Sequence, residues 1–130
     1  MPAGISGTRE IVAGLRAILA PYASQLIVTA DGPNGFSLDT RHILSNKQPL
    51  FFGSVKVQKN YVSFYLMPAY VFPEILNGIS DNLRKRMQGK SCFNFRHVDP
   101  DLFNELAALT RAGFERYQAA GYVKPAEKQP

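Results

Sequence analysis

A thiol beside an imidazole is the simplest nucleophile and base a chain can assemble, and this sequence of 130 residues holds one cysteine, Cys92, and two histidines, His42 and His97. Along a strand Cys92 and His97 would stand about 16 Å apart and on opposite faces, so they do not make that pair. His42 reaches Cys92 only through the fold. Lys90 and Arg96 flank the thiol and would lower its pKa, yet a single small cysteine in a strand is ordinarily packing. Asp99 and Asp101 stand either side of Pro100 and read as helix-capping charges, not as an acid–base pair. Glu105, Arg111 and Glu115 belong to a solvated helix face. Gly89-Lys90-Ser91 lacks the earlier glycine of a phosphate-cradling loop, and Gly32-Pro33-Asn34-Gly35 is a turn. The cysteine and histidine counts exclude an intrachain disulfide and the usual Cys/His zinc clusters. No catalytic residue, metal ligand or cofactor follows from the sequence.

What does follow is a mixed surface. Residues 50–58 and 61–67 alternate around Lys59-Asn60, and Asn tolerates the left-handed backbone that a two-residue turn requires. Pairing Gln58 with Tyr61 sets Val57 against Val62, Val55 against Phe64 and Gly53 against Leu66, which makes one face apolar. The opposite face then holds Phe52, Ser54, Lys56, Tyr61, Ser63 and Tyr65. A further alternating run, 92–96, sends Phe93 and Phe95 to the core and Cys92, Asn94 and Arg96 to the other side. The candidate ligand-binding set is therefore Phe52, Ser54, Lys56, Tyr61, Ser63, Tyr65, Asn94 and Arg96: rings supply contact area, hydroxyls and cations set orientation. Sheet aromatics also stack the bases of a single nucleic-acid strand, but a small anion is favoured over nucleic acid. A competing reading covers this face with the segment from Pro68 to Met87 or with the second subunit of a homodimer.

These residues need elements to hold them. Residues 1–7 are small and polar and read as a flexible leader. From Thr8, a candidate N-cap, Ile11, Leu15, Ile18, Leu19 and Tyr22 recur at helical spacing until Pro21 ends the helix. Two strand-like runs, 26–30 and 36–39, flank the Gly/Pro/Asn turn, and setting Ala30 against Phe36 and Val28 against Leu38 puts most large apolar side chains on one face. Pro68 and Pro73 forbid a long helix around 69–72 and leave a short one at 74–77. Ser80 caps another short helix running through Met87, with Gly89 as terminator. Arg84, Lys85 and Arg86 lie in its last turns, where cations interact favourably with the dipole and, being successive on a helix, point apart. Asp99-Pro100-Asp101 starts a long closing helix whose buried stripe is Leu102, Phe103, Leu106, Leu109, Gly113, Phe114 and Tyr117, ended by Gly121. Residues 8–122 thus form one domain and 123–130 a flexible tail. The order predicts an α+β fold: a mainly antiparallel sheet of about five strands, with the N- and C-terminal helices on one face and the other face partly open.

Length, composition and charge agree with that outline. A chain of this size buries enough surface to fold without staples, and 45% apolar with 19% charged residues is a globular balance. The net charge of +5 is uneven. Between Thr40 and Val98 nine bases face only Glu74 and Asp81, a local +7, whereas six bases and eight acids leave the remainder at −2. A basic middle favours an anionic partner. Apolar runs such as Leu26-Ile27-Val28 are far too short to span a bilayer, and a lone cysteine suits a reducing compartment, so a cytoplasmic protein without membrane contact is expected.

With its elements in this order, the chain resembles the YdhG-like family of small bacterial domains of unknown function. Lys47-Gln48-Pro49-Leu50-Phe51-Phe52-Gly53, the run from Tyr61 through Tyr65 to Pro68, Gly89-Lys90-Ser91-Cys92-Phe93-Asn94-Phe95 and the closing helix carry the likeness. The resemblance implies a cytosolic α+β domain with a helix-covered sheet. It also implies a frataxin-like iron chaperone as the alternative function, since the family's best-described member is treated as one. Iron handling by such domains uses a surface crowded with carboxylates, whereas here Glu10, Asp31 and Asp39 are the only acids before residue 74. The residues themselves favour a non-catalytic module that binds a small anionic ligand or a partner protein.

Overall fold

The computed structural model describes residues 7–123; the remainder of the expected leader, and the tail from Lys124 onward, lie outside the described residues. The chain runs α1 (Thr8–Leu19), a 3-10 turn (Ala20–Gln25), β1 (Ile27–Gly32), β2 (Gly35–Ile43), β3 (Pro49–Val57) and β4 (Val62–Leu66). It continues through α2 (Met67–Val71), a second 3-10 turn (Pro73–Leu76), α3 (Asp81–Arg84), β5 (Met87–Gln88), β6 (Cys92–Phe95) and α4 (Pro100–Ala119). The strands make one six-stranded antiparallel sheet in the order β1-β2-β3-β4-β6-β5. The fold is α+β, with one strand more than the pattern predicts.

The extra strand comes from the shortness of α3. Ser80 caps it as expected, its hydroxyl accepting the Leu83 N–H at 3.1 Å, but the helix stops at Arg84 instead of running through Met87. Beyond it the Arg86 carbonyl accepts the Asn94 N–H at 2.8 Å, and Met87 and Gln88 pair with Phe93 and Cys92. A longer helix would leave that edge of β6 without backbone partners.

Both long helices cover one face of the sheet. Ile11, Leu15, Ile18 and Leu19 of α1 are buried, and the whole predicted stripe of α4 is buried with them. α1 packs on β2, β3 and β4 and against α4. Phe95 meets Phe103 edge-on at 5.0 Å. Two glycines let these layers close: a Cβ on Gly14 would lie 2.7 Å from the Phe103 ring, and one on Gly113 2.6 Å from Pro68 Cβ. At the start of α4 the Asp99 carboxylate accepts the Leu102 N–H at 3.1 Å, the capping role expected of it. Gly7, with φ 74°, is the N-cap of α1 in place of Thr8, and its carbonyl accepts the Ile11 N–H. Val123 is buried in the core, not part of a tail.

The β3–β4 register is the expected one, with Val57 opposite Val62, Val55 opposite Phe64 and Gly53 opposite Leu66. In the first hairpin Val28 does oppose Leu38, but Asp31, not Ala30, opposes Phe36, because the ladder shifts between Val28 and Ala30. Every residue of β1 is exposed, so no buried face enforces strict alternation there.

Phe52 needs a larger correction. Pairing of β2 with β3 passes from Leu38–Gly53 to Asp39–Phe51, which leaves Phe52 as the extra residue of a bulge. Its ring is fully buried and touches Tyr22, Phe114 and Tyr117, at centroid distances of 5.6, 5.6 and 5.8 Å. It belongs to the helix side and not to the candidate face.

Candidate functional site

With Phe52 removed, the remaining candidates lie on the side away from α1 and α4 or at its margin. The segment proposed to cover that side borders it only at its end, where Lys85, Arg86 and Met87 lie beside Tyr61, Asn94 and Arg96. α2, the second 3-10 turn and α3 all pack against α4. Across the strands Ser54 stands opposite Tyr65, Lys56 opposite Ser63, Ser63 opposite Asn94 and Tyr65 opposite Cys92.

A polar network ties the centre together. The Ser63 hydroxyl, on a side chain only 1% exposed, donates to Asn94 Oδ1 at 2.7 Å. The Cys92 thiol donates to the same oxygen at 3.4 Å, and Asn94 Nδ2 donates to Gln88 Oε1 at 2.8 Å. Burial pushes the Cys92 thiol up from its ordinary pKa, with hydrogen bonding to Ser63 and Tyr65 opposing the rise. Burial likewise raises the Tyr65 phenol, reinforced by its neighbour Cys92. The thiol is therefore a proton-bearing member of a structural network, the reverse of the thiolate that nucleophilic chemistry needs. On β2 burial also raises the Asp39 carboxyl from its ordinary pKa.

The other candidates converge at the end of the sheet. Tyr61, Asn94 and Arg96 line a hollow of about 250 Å³ together with Lys85, Arg86 and Met87. A second hollow, of about 290 Å³, is walled by the same Lys85, Arg86 and Arg96, with Phe95, His97 and Val98 among its other residues. Lys85 and Arg86 are absent from the sequence-based set because a helix through Met87 would splay them. Once the chain leaves α3 at Arg84, both turn to Arg96. Arg84 goes the other way, its Nη2 donating to the Leu76 carbonyl at 2.8 Å. Gly89, expected to end the helix, instead turns the chain between β5 and β6 with φ 77°; a left-handed glycine serves either role, so the sequence carries no signal that tells them apart.

The charge of this corner is net positive, with Lys85, Arg86 and Arg96 against the single carboxylate of Asp99. Among the described residues the ion pairs are Arg16–Asp31, Arg111–Glu115 and Arg116–Glu74, none of which involves Lys85, Arg86 or Arg96. The one acid lining either hollow is Asp99, and its carboxylate holds the first turn of α4. Lys56 is exposed and lines neither hollow, while Ser54 and Tyr65 sit further along the sheet. Among the described residues no group of three or more His, Cys, Asp or Glu is placed to hold a metal ion, and no helix is long and apolar enough to cross a membrane. The chain matches no protein-family model, no curated protein and no solved structure.

Proposed function

We propose that this chain is a non-catalytic binding module for a small anion, held in the hollow walled by Tyr61, Lys85, Arg86, Asn94 and Arg96. The observation that carries the reading is the sharing of Lys85, Arg86 and Arg96 by two hollows, of which the one beside Tyr61 and Asn94 has no carboxylate in its lining and the other has Asp99 alone. Each hollow lies near the lower limit for organic ligands, a size that suits an anion of few heavy atoms. Two guanidinium groups match carboxylate or phosphate oxygens through paired N–H donors, and Lys85 adds a point charge. The Tyr61 ring and the Asn94 amide, fixed by Ser63 and Gln88, supply a wall and an oriented dipole.

Binding without turnover is the fitting activity, because the Cys92 thiol beside these groups is held protonated and so offers no thiolate for His97 of the adjoining hollow to serve. The lone cysteine favours the reducing cytosol. A YdhG-like relationship remains our reading of the sequence blocks. The iron-chaperone alternative gains no support from this corner, where three cations would repel ferrous iron. A partner protein would present the same chemistry through an acidic side chain.

Calorimetry of the intact chain with inorganic phosphate, pyrophosphate and citrate tests the reading. Saturable binding of at least one, weakened about tenfold or more by Arg96→Ala, is expected from loss of hydrogen bonds to a charged group. Absence of heat with all three anions removes the small-anion reading. Binding that Arg96→Ala leaves unchanged removes this site.

A further inference from the structure

The basic stretch has a second side. Where Lys85 and Arg86 face the proposed anion site, Arg84 and Lys90 face a separate groove of about 820 Å³ between α2, the second 3-10 turn and the Gly89 reversal. Its walls include Val71, Leu76 and Met87, and its rim carries Tyr70, which at 57% is the most exposed large apolar residue of the described chain. Lys90 Nζ stands 5.9 Å from the centroid of the Tyr70 ring, inside the range of cation–π attraction. Arg84 is anchored by its bond to the Leu76 carbonyl, so the guanidinium is ordered before any ligand arrives, and little rotamer freedom is lost on binding. No Asp or Glu lines the groove.

We propose that this groove is a second ligand site, specific for an aromatic carboxylate. An apolar floor with two cations at its border and no acid matches a ligand with one anionic end and a flat apolar body. The carboxylate lies between Lys90 and the free N–H groups of Arg84, and the ring system lies over Val71, Leu76 and Met87 with Tyr70 at its edge. The groove is far larger than either hollow beside Arg96, which excludes the compact anions proposed there as its best occupants. The two sites adjoin at Met87, which lines both the groove and the hollow beside Tyr61.

Amide-resolved NMR titration of the intact chain with 2-naphthoate, beside its uncharged analogue 2-naphthamide, tests the proposal. Naphthoate is expected to give saturable shifts at Tyr70, Val71 and Gly89, with naphthamide giving at least tenfold weaker changes. Lys90→Glu should weaken naphthoate tenfold or more and Tyr70→Ala should weaken it measurably; both positions are exposed, and dispersed spectra report that each variant folds. Arg96→Ala should leave naphthoate binding intact, which keeps this site distinct from the small-anion site. Equal binding of naphthamide, indifference to Lys90→Glu, or shifts centred on Asn94 and Arg96 would each overturn it.

Discussion

Ser63 and Asn94 face each other across β4 and β6, and the buried hydroxyl of the first donates to the side-chain oxygen of the second at 2.7 Å. This bond holds the amide that forms one wall of the proposed anion site. Asn94→Leu takes the 2.7 Å acceptor from a hydroxyl that has almost no access to water and leaves it only the Cys92 sulfur, a weak acceptor, at a cost of about 1–3 kcal/mol. Adding Ser63→Ala should recover part of that loss, since both polar partners are then gone. Urea denaturation of the single and double variants measures the coupling; strictly additive losses would refute the bond's role.

The Cys92 thiol is predicted to alkylate more slowly at neutral pH than a free model thiol. Its partial burial and raised pKa both reduce the thiolate available to react. The rate should rise with an inflection above that of the free thiol. A neutral-pH rate equal to or above the model thiol would restore the nucleophile hypothesis.

Alkaline conditions should unfold the protein early. Burial raises the phenols of Tyr22, Tyr65 and Tyr117, with Tyr117 displaced furthest. A group whose proton is held more tightly when folded stabilises the fold fully below its unfolded pKa. That contribution is lost as pH climbs past the unfolded value, about 10 for tyrosine. The Tyr117 hydroxyl donates to the Phe51 carbonyl at 2.9 Å, so Tyr117→Phe should cost about 0.5–1.5 kcal/mol at neutral pH. The variant should then lose less stability than the parent between neutral pH and pH values above ~10. Parallel stability curves for variant and parent would contradict this.

Gly113→Ala sets two effects against each other. Alanine gains up to about 1 kcal/mol of helix propensity, but its Cβ would fall 2.6 Å from Pro68 Cβ and 3.0 Å from Pro68 Cγ. A proline ring cannot rotate aside, and overpacking of this kind costs about 1–3 kcal/mol. The variant is expected to melt below the parent in calorimetry; a higher melting point would show that α2 yields at little cost.

The parts of this fold that could be read in advance are those where burial and chemistry repeat at one period. The α4 stripe from Leu102 to Tyr117 and the pairing of Val55 with Phe64 both follow from a single apolar face meeting a single core. Asp99 and Ser80 were legible as caps because their side chains satisfy local backbone donors. Phe52 was not legible, because a bulge changes the parity of a strand without any change in residue type. Lys85 and Arg86 were hidden for a related reason: whether they splay or converge depends on the backbone partners that β6 offers, which lie several residues away. Of the candidate site, Tyr61, Asn94 and Arg96 came from alternation, and the two cations that complete it came only from tertiary structure.

The bulge at Phe52 also makes β3 a place where the chain is counted. Leu50 and Phe52 both point inward, separated by a half-buried Phe51, on a strand whose inward set is otherwise Gly53 and Val55. Dropping a single residue here would rejoin the two halves in one phase and pull the hub from beneath Tyr22, Phe114 and Tyr117. Turns such as Lys59-Asn60 can gain or lose a residue and leave the layers in place; this strand tolerates neither, and length variation among descendants of this sequence should stop at its borders.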